Sequence, residues 1–323
     1  MPETPATSTE QADEEPTPAR HGGTSRHGTV AGPSSEPVRL AVRKTYKLYV
    51  AGSFPRSESG RSYGVVAADG THLANAALGS RKDVRDAVTA ARKAQGGWAA
   101  ATAYNRGQVL YRVAEMLEDR REQFAGIVAA GEGCPHADAQ AAVDASVDRW
   151  VWYAGWADKL AQIAGSSNPV AGPYFNFSLP EPTGVVGILA PAASSLLGLV
   201  SVLAPVLVTG NSAVVVASEE RPLAAATLAE VLATSDLPPG VANILTGRTV
   251  ELAAVLASHR DVDALDLAGA PPGLEVDLEQ AAADNVKRVL RRDASLAEWT
   301  EDPTPRRMLA FVETKTVWHP VGI

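Results

Sequence analysis

Cysteine is almost absent from the sequence, with one among 323 residues, and this scarcity excludes an internal disulfide framework. A single thiol fits the reducing conditions of the cytoplasm, where we expect the protein to act. Long apolar runs are lacking as well: the longest, 196–208, is shorter than the roughly 20 residues of a membrane span and contains Pro205. No apolar stretch of the kind found in secretory signals follows Met1. The sequence therefore predicts no membrane partner.

An excess of positive charge is missing too. The 29 Lys and Arg residues are outnumbered by 37 Asp and Glu, which gives a net charge of −8, whereas nucleic-acid binding requires a basic surface. His259 and His319 have no partner at metal-ligand or catalytic-triad spacing, so we expect both to be structural or exposed. Neither a nucleic-acid partner nor a metal is therefore predicted.

Residues 1–40 differ in composition from the rest of the chain. Leu, Ile, Phe, Tyr and Trp are all absent before Leu40, and small or polar residues dominate. Such a segment buries too little apolar surface to offset its ordering entropy, so we predict a disordered tail over 1–40.

Residues 41–180 are predicted to form a layer of strands and helices, because alternating and helical apolar patterns follow one another there. The predicted elements are a strand over Tyr46–Val50 with a turn at Ala51-Gly52, a helix from Ser80 that ends at Gly96-Gly97, a helix carrying a stripe from Val109 to Phe124, and a helix from about Asp138.

Residues 181–270 alternate short apolar runs with helices. Such continuous apolar runs are typical of a parallel sheet that is buried on both faces, so the predicted fold class is α/β, with a Rossmann-like parallel sheet and helices on both faces. The predicted strands are Val185–Ala190, Ala213–Ala217, Ala242–Leu245 and Ala264–Leu267.

Two segments complete the predicted architecture. Residues 271–305 are expected to form a helical linker, with an apolar stripe that runs from Leu274 to Val289. Residues 306–323 are expected to form a C-terminal strand over Met308–Trp318, because this stretch is rich in apolar and β-branched residues.

An ordered series of segments resembles the aldehyde dehydrogenase superfamily. The segments are Tyr153–Leu160, Glu181–Gly187, Gly210–Val216 and Leu237–Gly247, and Glu313–Val317 resembles the C-terminal oligomerisation strand of that family. The resemblance implies the N-terminal layer, the nucleotide-binding sheet and the strands of the oligomerisation domain. It implies a structural role for Asn211, which matches a Gly-Asn turn of the family.

The resemblance also implies that the catalytic domain of the family is missing between Gly269 and Met308. The family nucleophile is a cysteine downstream of Gly269, whereas Cys134 lies upstream and is expected to be a small hydrophobic residue. Ala193 stands where the family has an asparagine that stabilises the oxyanion. No catalytic residue is therefore expected.

Only remnants of the family's nucleotide site are expected. They are Pro191, Glu219 or Glu220, either of which could accept a hydrogen bond from a ribose hydroxyl, and Gly269. The lysine that holds the ribose is absent, and Arg248 to Val250 replace glycines that let the backbone approach the nucleotide. We therefore expect no cofactor, or NAD or NADP if there is one.

The resemblance is strongest to the non-catalytic unit of tandem aldehyde dehydrogenases. It implies a structural or regulatory subunit that associates with itself or with an active aldehyde dehydrogenase through the C-terminal strand. The alternative is an NAD(P)-dependent oxidoreductase that acts on an aldehyde, which would need a cysteine downstream of Gly269. A degraded gene product without a role is a third possibility.

Overall fold

The computed structural model describes residues 42–293 and 298–322, and the structural statements below concern these residues. The predicted tail, 1–40, lies outside the described residues. Within them, the chain forms three sheets and ten α-helices. No helix of the described part is long and apolar enough to cross a membrane.

The first sheet is small and lies in the N-terminal layer. It consists of β1 (Thr45–Tyr46), β2 (Ser62–Val66) and β3 (His72–Ala77), in the order β1-β3-β2. The strand predicted over Tyr46–Val50 is shorter than expected, because Tyr49 instead pairs its backbone with Ile244 of another sheet. The predicted turn is confirmed by positive φ angles at Ala51 and Gly52.

Five helices follow: α1 (Arg81–Ala100), α2 (Ala103–Asp119), α3 (Arg121–Glu132), α4 (His136–Ala154) and α5 (Leu160–Ala164). The predicted start of α1 is confirmed, since the Ser80 and Asp83 side chains form a capping box.

The predicted stop of α1 at Gly96-Gly97 is wrong, because the helix continues to Ala100. Trp98 is buried, and its indole N–H donates to the Leu207 carbonyl over 2.9 Å, which holds the last turn of α1 against the helix that contains Leu207. The single helix predicted to carry the apolar stripe from Val109 to Phe124 is two helices, α2 and α3, because the backbone of Arg120 leaves the helical conformation between them.

The central sheet confirms the predicted fold class. Its strands are β6 (Val185–Leu189), β7 (Ser212–Val216), β8 (Ala242–Leu245), β9 (Ala264–Asp266) and β10 (Arg288–Leu290), all parallel, in the order β10-β9-β6-β7-β8. Val186 and Ile188 pack on the face that carries α6 (Leu197–Val208) and α7 (Leu223–Ala233). Val185 and Leu189 pack on the opposite face, with α1 and α8 (Thr249–Ser258). Alternate side chains of β6 therefore pack into two different hydrophobic cores, one on each face of the sheet.

The expectation that Val289 continues a helical stripe is wrong. The helix α9 (Glu275–Ala283) ends early, and Val286 adopts a left-handed φ of 57°, which an α-helix does not tolerate. Val289 then lies in β10, which pairs with β9 at the edge of the central sheet. The segment 271–305 is thus more than a helical linker, because it supplies a fifth strand.

The third sheet contains β4 (Ser166–Asn168), β5 (Tyr174–Pro182) and β11 (Val312–Pro320), in the order β11-β5-β4. β11 runs antiparallel to β5 over its whole length, from Val312 opposite Pro182 to Pro320 opposite Tyr174. The predicted start of this strand at Met308 is wrong, because Met308 lies in the short helix α10 (Arg306–Ala310) and is fully buried in the core next to α6. One edge of β11 is paired with β5, and β11 ends the sheet.

Candidate functional site

A cleft of 590 Å³ lies at the carboxyl ends of the central strands. It is lined by residues that directly follow β6, β7 and β9, together with the first residues of α8 and two residues of the connection between β10 and β11: Ala190–Ala193, Ser218–Glu220, Ala268–Pro272, Thr249, Val250, Arg292 and Trp299. β6 has β7 on one side and β9 on the other, so the chain order reverses at this point. Open α/β sheets bind ligands at such a switch point, which makes this cleft the candidate site.

The loop after β6 forms one wall of the cleft and is held from two sides. The Glu132 carboxylate accepts hydrogen bonds from the backbone N–H and the hydroxyl of Ser195, at 2.6 and 2.7 Å. The Arg221 guanidinium donates to the Ala192 carbonyl over 3.0 Å. Between these contacts, Pro191 is buried and Ala193 is exposed in the cleft. Ala193 offers only a methyl group there, so its side chain can donate no hydrogen bond.

The opposite wall is formed by Glu219, which the sequence singled out as a nucleotide-site remnant. Its carboxylate accepts from the Arg248 guanidinium at 2.5 Å and from the Thr249 backbone N–H at 2.9 Å. The sequence places Glu220 beside it, and the structure shows Glu220 exposed on the rim. Of the two glutamates, only Glu219 is held by the residues that begin α8.

Gly269 lies on the floor of the cleft, and its lack of a side chain has a packing reason. A Cβ atom at Gly269 would approach the Ala190 carbonyl oxygen to 2.1 Å. The Gly269 backbone N–H donates to the Leu189 carbonyl over 2.9 Å, so the end of β9 is pressed against the end of β6. The close approach between the strands requires a glycine here, whether or not a ligand binds.

Arg292 and Trp299 complete the rim. Arg292 belongs to a basic cluster that the sequence predicts to be a solvated helix end, with anion binding as the alternative, whereas no sequence pattern singles out Trp299. The Arg307 guanidinium lies 5.2 Å from the centre of the Trp299 ring. Arg149 of α4 donates to the backbone carbonyls of Trp299 and Glu301, at 2.9 and 2.7 Å. These contacts hold residues 299–301, which belong to the connection between β10 and β11, beside the candidate site. They depend on residues far apart in the chain, so no local pattern could have predicted them.

A group of buried polar side chains lies beneath this connection. Arg307 pairs with Asp266 at the end of β9, and Arg149 donates to the Ser201 hydroxyl over 2.7 Å. Burial raises the pKa of Asp266, and Arg307 opposes this effect. Burial also raises the pKa of the neighbouring Tyr153 to about 12. The tyrosine is therefore neutral at physiological pH.

Cys134 lies at the end of α3, outside the set of residues that line the cleft. Burial, reinforced by the nearby Glu132 carboxylate, raises the pKa of the Cys134 thiol. A raised pKa disfavours the thiolate, which is the reactive form of cysteine. The side chain packs against the larger hydrophobic core, as expected of a small hydrophobic residue.

Two other polar residues have structural roles. Asn211 is fully buried; its amide oxygen accepts from the Gly184 backbone N–H at 2.7 Å, and its amide nitrogen donates to the Phe311 carbonyl at 2.8 Å. These bonds join the start of β6 to the start of β11, which is the structural role the sequence indicated.

His259 accepts from the backbone N–H of Asp261 over 3.2 Å. The described residues contain no group of His, Cys, Asp and Glu side chains that could hold a metal ion.

Comparison with known proteins identifies relatives over most of the chain. Residues 56–291 match the model of the aldehyde dehydrogenase family. Mitochondrial benzaldehyde dehydrogenase of Antirrhinum majus is 34% identical over 273 residues, which are 83% of this chain and 51% of that protein. A putative aldehyde dehydrogenase of Bacillus subtilis is 32% identical over 252 residues, which are 77% and 50% of the two chains.

Solved structures agree with the sequence matches. A putative aldehyde dehydrogenase from Burkholderia cenocepacia superimposes with a TM-score of 0.72 and 30% identity, over 76% of this chain and 50% of the other. The NAD+ complex of an aldehyde dehydrogenase from Bacillus cereus gives a TM-score of 0.71 and 27% identity, over the same shares. The chain thus spans about half the length of the relatives that it matches.

Proposed function

Because the chain belongs to the aldehyde dehydrogenase family, we propose that it is a member without the cysteine-bearing catalytic domain and serves as a non-catalytic structural or regulatory subunit. The observation that carries this proposal is the connection from β10 to β11. β10 ends at Leu290 and β11 begins at Val312, so only residues 291–311 separate the central sheet from the last strand of the third sheet. This connection brings Arg292 and Trp299, and no thiol, to the rim of the cleft.

The chemistry of the cleft supports this proposal. Aldehyde oxidation through a thioester requires a thiolate beside the carbonyl carbon and a donor for the developing oxyanion. Cys134 lies outside the cleft lining and its pKa is raised, and Ala193 has no side-chain donor. The described residues around the cleft therefore supply no thiolate, and position 193 supplies no side-chain donor for the oxyanion.

The same residues are poorly suited to a dinucleotide, so we propose that NAD and NADP bind weakly or not at all. The Glu219 carboxylate already accepts from Arg248 and from the Thr249 backbone N–H, so a ribose hydroxyl would have to share it with these two donors. Ala270 is buried and apolar at the end of β9, so its side chain offers nothing to a pyrophosphate. Pro191 and Gly269 remain in the cleft lining, but they provide shape without side-chain hydrogen bonds.

Association through β11 is the second part of the proposal. β11 ends its sheet, and an edge strand presents backbone groups that another chain can pair with. Large apolar side chains are exposed on this sheet, including Phe175, Leu179 and Trp318. An edge of this kind suits a second copy of the chain or an active aldehyde dehydrogenase as the partner.

Light scattering of the purified protein, alone and mixed with an active aldehyde dehydrogenase, tests the association. Trp318, which is 58% exposed, is changed to Lys, and we expect the assembly to shrink because a charge now lies on the proposed contact. Tyr104→Lys is the matched control, since Tyr104 is 72% exposed and belongs to α2, not to the third sheet. Identical masses for the wild type and Trp318→Lys, with and without the active enzyme, would contradict the proposed interface.

NAD(P)-dependent oxidation of an aldehyde is the second candidate function. The observation that favours it is the cleft itself, which retains 590 Å³ at the switch point of the sheet, where this type of sheet binds nucleotides. The names of the relatives point to the same activity. A turnover measurement with an aldehyde and NAD or NADP separates the two candidates.

A further inference from the structure

A cavity of 280 Å³ lies at one end of the first sheet, in the N-terminal layer. Its lining includes Ala77, which ends β3, Lys47, which follows β1, and Ser62, which begins β2. The loop that precedes β2 contributes Arg56 and Arg61. No residue of this lining belongs to the lining of the cleft at the strand ends. This cavity, called the basic pocket below, is therefore distinct from the candidate site.

Three cations line the basic pocket, and its lining contains no carboxylate. Lys47, Arg56 and Arg61 are all exposed, and within residues 42–293 and 298–322 none of them forms an ion pair. Lys44, by contrast, pairs with Glu230 over 2.6 Å. Unpaired charges of one sign around one cavity repel each other, and an anion between them relieves this repulsion. The excess of positive charge is local, because the whole chain carries a net charge of −8.

The loop that carries both arginines is held by hydrogen bonds. Ser57 is only 4% exposed, and its hydroxyl donates to the Asp83 carboxylate over 2.7 Å. The Arg61 carbonyl accepts from the Leu78 backbone N–H over 2.9 Å. Asp83 belongs to α1 and Leu78 follows β3, so the loop is attached to both elements. A ligand therefore needs to order only the side chains of Arg56 and Arg61, and this lowers the entropic cost of binding.

The other polar groups near the loop leave the basic pocket suited to an anion. Glu58, the one carboxylate that the loop carries, lies outside the lining and accepts from the Ser80 hydroxyl over 3.1 Å. Asp83 also lies outside the lining, where it takes part in the capping box of α1. The hydroxyl groups of Thr45 and Ser62 belong to the lining, and neither forms a side-chain hydrogen bond within the described residues. Both can donate to the oxygen atoms of a ligand.

We propose that the basic pocket binds a small multivalent anion of the diphosphate class. The planar guanidinium groups of Arg56 and Arg61 can each donate two parallel hydrogen bonds to phosphate oxygens, and Lys47 adds a point charge. A volume of 280 Å³ is close to the lower limit, roughly 300 Å³, of pockets that take drug-sized ligands. The pocket therefore suits a compact diphosphate group better than a whole dinucleotide. This site gives the protein a ligand of its own, whether or not a molecule binds in the cleft.

Calorimetry of the full chain with inorganic pyrophosphate at low ionic strength tests the inference. We expect the wild type to bind one pyrophosphate per chain, and to bind it more weakly as salt screens the exposed charges. Arg56→Ala and Arg61→Ala should each weaken binding about tenfold or more, because each removes charge-assisted hydrogen bonds to the ligand. Both side chains are exposed, so the variants should remain folded. Adenosine 5′-diphosphate distinguishes the source of the group: affinity equal to that of pyrophosphate supports an ester, and weaker binding supports a free diphosphate.

Arg85→Ala is the matched control. Arg85 is an exposed arginine of α1 that lies outside the lining and, within the described residues, forms no ion pair. Its replacement should leave the affinity for pyrophosphate within about twofold of the wild type. Acetate, with a single charge, should bind at least about tenfold more weakly than pyrophosphate.

Absence of pyrophosphate binding to the wild type, an equal loss in Arg85→Ala and in the two pocket variants, or acetate binding as tight as that of pyrophosphate would each overturn the inference. The turnover and association tests of the proposed function are independent of these outcomes, because the lining of the basic pocket contains no residue of the cleft or of the third sheet.

Discussion

Arg307 donates a hydrogen bond to Asp266 over 2.6 Å, and the two side chains are only 8% and 0% exposed. Asp266 ends β9, and Arg307 lies in α10, just before the strand of the third sheet. The pair therefore attaches the connection between β10 and β11, called the return segment below, to the end of the central sheet. Arg149 adds hydrogen bonds from α4 to Trp299 and Glu301 in the same return segment. The described part of the return segment is thus held against the core by buried side chains.

Arg307→Ala should destabilise the protein strongly. It leaves the Asp266 carboxylate buried without its cation, which typically costs about 3–5 kcal/mol in the free energy of unfolding. Urea denaturation measures the loss. The matched control is Arg306→Ala, which removes an exposed ion pair with Asp293 and should cost less than about 1 kcal/mol. Similar losses for the two variants would show that the buried pair does not anchor the return segment.

Replacement of Gly269 by Ala should also be destabilising, because the added Cβ would lie 2.1 Å from the Ala190 carbonyl oxygen. Forcing the strand ends apart should cost about 1–3 kcal/mol. Gly126→Ala in α3 is the control, since nothing lies within 4 Å of a Cβ there and alanine favours the helix by about 1 kcal/mol. Thermal unfolding should give shifts of opposite sign, and a Gly269→Ala variant as stable as the wild type would contradict the packing described.

Stability should decrease as the pH falls below neutrality, in part because of His259. Burial lowers the pKa of His259, and the neutral ring accepts a hydrogen bond from Asp261. Between its lowered folded pKa and the ordinary value of 6.5, the unfolded chain binds the proton more readily. The contribution of the neutral His259 ring to the stability of the fold is therefore complete above pH 6.5 and is lost as the pH falls through the folded pKa.

Urea midpoints between pH 5 and pH 8 test this dependence. His259→Gln should flatten the decline, whereas His319→Gln, which changes an exposed histidine of β11, should leave it as in the wild type. If the His259 variant keeps the full pH dependence, the decline comes from other groups.

The sequence predicted the central sheet well, because its strands are continuous apolar runs separated by helices. Four of its strands fall within a residue or two of the predicted ranges. The fifth strand, β10, was missed because its three residues resemble the end of a helical stripe, and only pairing with β9 makes them a strand. The predicted helix stop at Gly96-Gly97 failed for a related reason, since tertiary packing of Trp98 outweighs the local preference of glycine.

The candidate site was predictable in its position and less so in its contacts. Pro191, Glu219, Glu220 and Gly269 all line the cleft, as a set of residues that follow parallel strands should. The ion pair between Glu219 and Arg248 was not predicted, because it joins two loops that lie far apart in the chain. The position of Trp299 was likewise unpredictable, since Arg149 and Arg307 contact it through tertiary interactions alone.

The central claim, that this family member is non-catalytic, is tested most directly by NADH and NADPH production from benzaldehyde and acetaldehyde. The measurement uses the purified protein beside its Cys134→Ser variant. We expect both proteins to be indistinguishable from a blank without protein, because no thiol is among the described residues that line the cleft and Ala193 offers no side-chain donor. Turnover by the wild type that disappears in Cys134→Ser would contradict the account and establish the chain as an aldehyde-oxidising enzyme.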